Sequence, residues 1–179
     1  VTVDHNVGST RIRLLVQPAH VRQRDRYLRA ASAALRYYEK WFGEYPYAQL
    51  TIIDPPHDGR EAGGMEYPTL ITTGTSWAMP SRIRLPEYVT VHEFGHQYWY
   101  GLVANNEFEE AWLDAGINSY VEGLIMDETY GPGSCVDLFG LRFDRLLFRR
   151  ALFVKSACRG PMGGMGRQFS DRQRFAVVH

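Results

Sequence analysis

The sequence predicts an α+β domain, a small mixed sheet with an edge strand packed on helices. Three observations predict it. Short β-rich runs fill the first third of the chain, apolar faces at helical spacing occupy positions 28–42 and 86–130, and Gly or Pro closes each of them. Arg11-Ile12-Arg13-Leu14-Leu15-Val16 opens as an alternation and reads as a strand. Leu28, Ala31, Leu35, Tyr38 and Phe42 recur three and four apart, one face of a helix that Gly43 and Pro46 stop. Leu50-Thr51-Ile52-Ile53 is β-rich and ends at Asp54-Pro55-Pro56. A polar loop from His57 to Gly64 leads to a strand-like run, Met65 to Thr73. Pro68 within it has no N–H for a ladder, which puts the run at a sheet edge. An edge strand can take up an extended peptide as an added strand.

Pro86 and Glu87 suit the first turn of a helix expected to reach about Gly101. A second helix should begin near Ala111 or Trp112, carry Ile117, Tyr120, Val121, Leu124 and Ile125, and end at Gly131-Pro132-Gly133. Ser134 is placed to cap a third, through about Val154. From Arg159 to Arg174 the chain is rich in Gly and Arg and reads as loop. The organisation expected is a strand segment at 1–20, a core at 21–155 and a Gly/Arg-rich tail at 156–179.

Composition narrows the function classes. At 179 residues the chain suits one domain. Twenty basic and twenty acidic residues leave no net charge, which argues against a general binder of nucleic acid or anionic membranes. No apolar run approaches the ~18 residues of a membrane span. No targeting segment is visible at Val1, and the absence of an initial Met leaves room for flanking domains outside the chain. Cys135 and Cys158 do not make a disulfide framework, so the compartment stays open. The charge is unevenly placed: from Leu85 to Leu141 there is no Lys or Arg, while ten Asp and Glu fall there. Such a segment attracts a metal cation or an ammonium group.

Within that acidic stretch, His92-Glu93-Phe94-Gly95-His96 has the form H-E-x-x-H. Positions i and i+4 share a helix face, so both imidazoles can reach one metal ion. Glu93 lies about 100° round, placed to touch a water rather than the metal. Chance would supply about 0.01 such matches in a chain of this composition. Zinc in such a site lowers the pKa of its water to about 7 and polarises a carbonyl, and a neighbouring carboxylate can move the proton to a leaving amine.

The stretch from Tyr88 to Glu122, with VTVHEFGHQYWYGLVANNEFEEAWLDAGINSYVE at its heart, resembles the aminopeptidase N family of gluzincin zinc metallopeptidases. Upstream, Gly63-Gly64-Met65-Glu66 matches that family's Gly-x-Met-Glu motif in the right order, and Leu35 to Pro56 resembles its helix-strand lead-in. The resemblance spans roughly Arg11 to Leu152. It implies a thermolysin-like catalytic core, His92 and His96 as zinc ligands, Glu93 as general base, and Glu66, with Gly63, Gly64 and Met65, as the seat of a substrate's free α-ammonium. The partner implied is a peptide with a free N-terminus. Tyr67 stands where the family usually has Asn, a change that touches fine substrate placement.

One departure matters more. The family's third zinc ligand is a Glu after eighteen intervening residues, and that position here is Ala115, which has no donor atom. A catalytic zinc normally has three protein ligands. On a regular helix Asp114 lies about 100° round from Ala115, and Glu122 about 10 Å along the axis, so neither is expected to replace it. Weak or absent zinc and low activity follow. After Tyr130 the given sequence has no tyrosine to stand for the family's oxyanion-steadying tyrosine, which leaves that group unassigned. Three readings remain open on sequence: an impaired zinc aminopeptidase domain, a non-catalytic relative that binds peptide N-termini, or a truncated inactive fragment.

Overall fold

A computed structural model describes residues 1–56, 64–73, 79–104, 106, 109–132, 136–138 and 141–143. Two strands open the chain, β1 (Thr2–Val7) and β2 (Thr10–Leu15), paired antiparallel with Val3 opposite Leu14 and His5 opposite Ile12. Gly8, at φ 57°, makes the tight turn between them. β1 is an addition to the single strand expected at Arg11–Val16. The chain then crosses through α1 (Arg24–Phe42) and returns as β3 (Gln49–Ile53), parallel to β2.

The run from Met65 to Thr73 is not one strand but a hairpin, β4 (Met65–Tyr67) and β5 (Leu70–Thr72). Pro68 fills the turn, where its missing N–H costs nothing and its fixed φ is useful. β5 pairs parallel with β3, and β4 lies at the rim, giving the order β1-β2-β3-β5-β4. The expected edge strand is therefore present, shortened to three residues.

Register decides which side chains meet the helices. Ile12 pairs with Leu50, Leu14 with Ile52, Ile52 with Ile71, and Ile71 with Glu66. Paired residues share a face, and the five apolar ones are completely buried. Glu66 thus sits at the rim of the core face, half-buried, while Met65 and Tyr67 point to the exposed side. α1 covers this face with Tyr27, Ala30, Ala31, Ala34, Leu35 and Tyr38, a stripe at three-four spacing that matches the expected helix.

α2 (Leu85–Gly95) begins with Pro86 in its first turn and is buried on most sides. Glu87 and Arg26 of α1 form a two-pronged ion pair, both contacts 2.7 Å. The same guanidinium donates to the carbonyls of Met79 and Ile83, so it ties the start of α2 to α1. α2 stops at Gly95, not at Gly101. The amides of Gln97 and Tyr98 turn back to Phe94 and Gly95, and Tyr100 at φ 91° carries the chain away. α3 (Ile117–Tyr130) follows and ends at Gly131, φ 89°. Its N-terminal approach, Trp112–Gly116, is a π turn, one residue wider than an α turn.

The third helix expected from Ser134 is overturned where the structure describes it. Val136–Leu138 and Leu141–Phe143 are strands, β6 and β7, paired antiparallel. Apolar residues at 136 and 138 and again at 141 and 143 follow the period of two that a strand needs. The rest of that expected helix and the tail at 156–179 lie outside the described residues. Among the described residues no helix is long and apolar enough to cross a membrane.

Candidate metallopeptidase site

The H-E-x-x-H motif falls on the last turn of α2, where His92 and His96 stand one turn apart. Their Nε2 atoms converge to 3.2 Å, with the rings nearly perpendicular at 88°. Two nitrogens bound to one zinc at tetrahedral angle lie about 3.4 Å apart. Two imidazole lone pairs cannot face each other so closely without a proton or a cation between them.

The outer ring nitrogens explain why the inner ones converge. His92 Nδ1 is 2.7 Å from Glu122 Oε2, and His96 Nδ1 is 2.7 Å from Asp114 Oδ1, with the Trp99 carbonyl at 3.3 Å. At His92 the Glu122 carboxylate takes the Nδ1 proton, which fixes tautomer and orientation and leaves Nε2 as the free nitrogen; at His96 the aligned Nδ1 hydrogen bond goes to the Trp99 carbonyl, with the Asp114 carboxylate in close ion-pair contact. Both carboxylates are buried, so these contacts are shielded from water. On the sequence, Asp114 and Glu122 enter only as replacement ligands on a regular helix, not as partners of the imidazoles. Eight residues apart, they would stand about 80° out of line there. The π turn absorbs one residue, which returns them to within about 20° of one row facing α2.

Asn118 locks the two helices in register. It is fully buried, its Nδ2 donates to the His92 carbonyl at 2.8 Å, and its Oδ1 accepts from the Tyr38 hydroxyl at 2.9 Å.

Glu93 points to the sheet. It is buried, and burial pushes its carboxyl up to about 7; His92 and His96 pull it back, while Glu66 and Glu122 add to the rise. A carboxyl near neutrality can both take and give a proton at physiological pH. His96 moves upward as well: burial opposes its charge, but the Asp114 contact and the charges of Asp114, Glu66 and Glu93 outweigh it.

Gly64, at the entry to β4, lies directly on Glu93. A methyl there would come within 2.6 Å of the Glu93 carboxyl carbon. So Gly64 and Glu66 of the upstream motif are brought beside the helix motif, with Met65 on the far side of the strand. Gly63 lies outside the described residues. Ala115 sits in the π turn between Asp114 and Gly116, half-buried. Among the described residues, no third His, Cys, Asp or Glu joins the two histidines in a metal-holding group. Among the described residues, the donors that converge are the two imidazole nitrogens alone.

An H-E-x-x-H helix backed by two orienting carboxylates and flanked by a rim strand bearing Glu66 defines a metallopeptidase-like domain. Comparison with known families agrees: residues 27–148, about two thirds of the chain, match the Peptidase family M1 domain. The chain belongs to peptidase family M1. No curated protein matches it.

Proposed function

We propose that this is an aminopeptidase-type M1 domain whose zinc site is impaired. The observation behind this reading is the convergence of the two Nε2 atoms of imidazoles that each meet a carboxylate at Nδ1, in a chain whose third-ligand position by family resemblance, Ala115, offers no donor. His92 and His96 would hold the ion. When bound, zinc acidifies a water and polarises the scissile carbonyl. Glu93 takes a proton at its carboxylate and returns it to the leaving amine, a role its carboxyl near 7 suits. Glu66, with Gly63, Gly64 and Met65, receives the substrate's α-ammonium. An anionic side chain at the rim, one strand position from where a peptide can add to β4, selects a free N-terminus over a blocked one.

With two protein ligands the affinity for zinc falls well below that of a three-ligand site. Loss of an outer-shell partner alone costs about 10–100-fold, and a charged direct ligand is worth more. The test is zinc content after purification together with turnover of an aminoacyl reporter, in the native chain and in Ala115→Glu. The expected result is substoichiometric zinc and little turnover in the native chain, and a gain of both in the variant. Stoichiometric zinc in the native chain, with turnover abolished by Glu93→Gln, overturns the impairment. Binding of a free-amine peptide without turnover in either protein favours a non-catalytic peptide-binding relative.

A further inference from the structure

We propose that Gln97, the residue after the second histidine, is a positioning residue for amino-terminus recognition. Its side-chain amide clamps the β4–β5 turn against α2 and so holds Glu66 at the histidines. The inference deepens the reading above and rests on it.

The clamp is geometric. Gln97 is buried at 3% exposure. Its Oε1 accepts the Thr69 N–H at 2.7 Å, and its Nε2 donates to the Tyr67 carbonyl at 3.0 Å. These two backbone partners, one acceptor and one donor, fix which end of the amide is oxygen. One side chain thereby grips both sides of Pro68. The turn needs the grip. Thr69 stands at φ 57°, a left-handed conformation uncommon for a β-branched residue, and such a conformation persists only when its surroundings over-determine it. The Thr69 carbonyl is held as well, by the Thr51 amide at 2.8 Å.

β4 has little else to locate it. It is three residues long, at the sheet rim, and paired on one side by β5 alone among the described strands. Glu66 is the residue before Tyr67, opposite Ile71 on the core face, and two positions after Gly64, which lies against the Glu93 carboxyl of α2. Loosening the turn moves the Glu66 carboxylate relative to α2, while the His92–His96 pair, held by Glu122 and Asp114, stays in place. Gln97 thus joins the metal helix to the strand that reads the substrate's ammonium group.

The test compares the native chain, Gln97→Met and Tyr38→Phe. The last removes a buried hydrogen bond to Asn118 away from the turn and serves as the stability control. Two quantities are read: amide hydrogen exchange over residues 66–71, and the affinity ratio for Ala-Ala-Ala over its N-acetyl form. Gln97→Met should speed exchange in the turn about tenfold or more and cut the affinity ratio by roughly ten- to a hundredfold, the scale of one charged hydrogen bond. Affinity for the acetylated peptide should hold, and Tyr38→Phe should change neither quantity. An unchanged ratio in Gln97→Met, unchanged exchange, or an equal loss of the ratio in Tyr38→Phe overturns the proposal. If Gln97→Met loosens the turn but the native chain does not prefer the free amine, the reading of Glu66 has failed, and the recognition role falls with it.

Discussion

Gly95 and Asn118 occupy space that only one of them can fill. A methyl built on Gly95 would coincide with the Asn118 carboxamide and crowd the Tyr38 hydroxyl. The side chain that ties α3 to the His92 carbonyl is admitted by the missing side chain one position before His96.

Gly95→Ala should therefore destabilise the protein by about 1–3 kcal/mol through overpacking, despite the better helix propensity of Ala. Asn118→Ala should cost about 1–3 kcal/mol by stranding buried polar partners. The double variant should lose less than the sum, with a coupling of about 0.5–3 kcal/mol in a denaturant-melt cycle. Strict additivity would show that the two residues do not compete.

Arg26→Met leaves the Glu87 carboxylate buried with no guanidinium, and the loss should be about 3–5 kcal/mol. Adding Glu87→Gln to that variant should recover part of it, because the stranded charge is gone. Urea midpoints at constant m-value would measure both. A loss under 1 kcal/mol would mean that water reaches the pair.

Asp114→Asn and Glu122→Gln act on the outer nitrogens of His96 and His92. In the Ala115→Glu background each should lower zinc affinity about 10–100-fold with the fold intact, as read by competition with a chelator. Equal affinity in all three proteins would show that the carboxylates do not orient the ligands.

Stability of the metal-free protein should depend on pH in a stated direction. Burial raises the folded Glu93 carboxyl from 4.5 to about 7, so the folded chain holds a proton there that the unfolded chain has released. The Glu93 contribution to stability is fully present below about 4.5, is lost as pH rises to about 7, and is level beyond, a change of up to roughly 3 kcal/mol. The raised His96 works in the same sense, its contribution being lost as pH climbs through its folded value. Melts of native and Glu93→Gln protein in the presence of chelator should diverge across that window, with the variant flatter. Parallel curves would mean that Glu93 is solvated.

Much of the frame is legible in the residues. The three-four stripe of α1, the alternation of β2 and the β-rich β3 each follow from a local period. Gly64 of the upstream motif lies against Glu93 of the helix motif. The misses share a cause. Pro68 suits either an edge or a turn, and pairing of Leu70 beside Thr51 decides it. Val136 to Phe143 carries apolar residues compatible with either period, and strand pairing wins. The contacts of Asp114 and Glu122 with the outer imidazole nitrogens are not legible, because a shift of one hydrogen bond at Trp112–Gly116 leaves no mark in the sequence.

That wide turn makes chain length itself a determinant of the site. With the wide turn kept, deleting one residue from 119–121 would swing everything upstream by about a quarter turn. Asp114 and Glu122 could then no longer engage neighbouring imidazoles together, though every functional side chain would still be encoded. Alignments that treat a gap there as neutral would misjudge such a chain, and swapping segments between related domains should respect the count of residues as strictly as their identity.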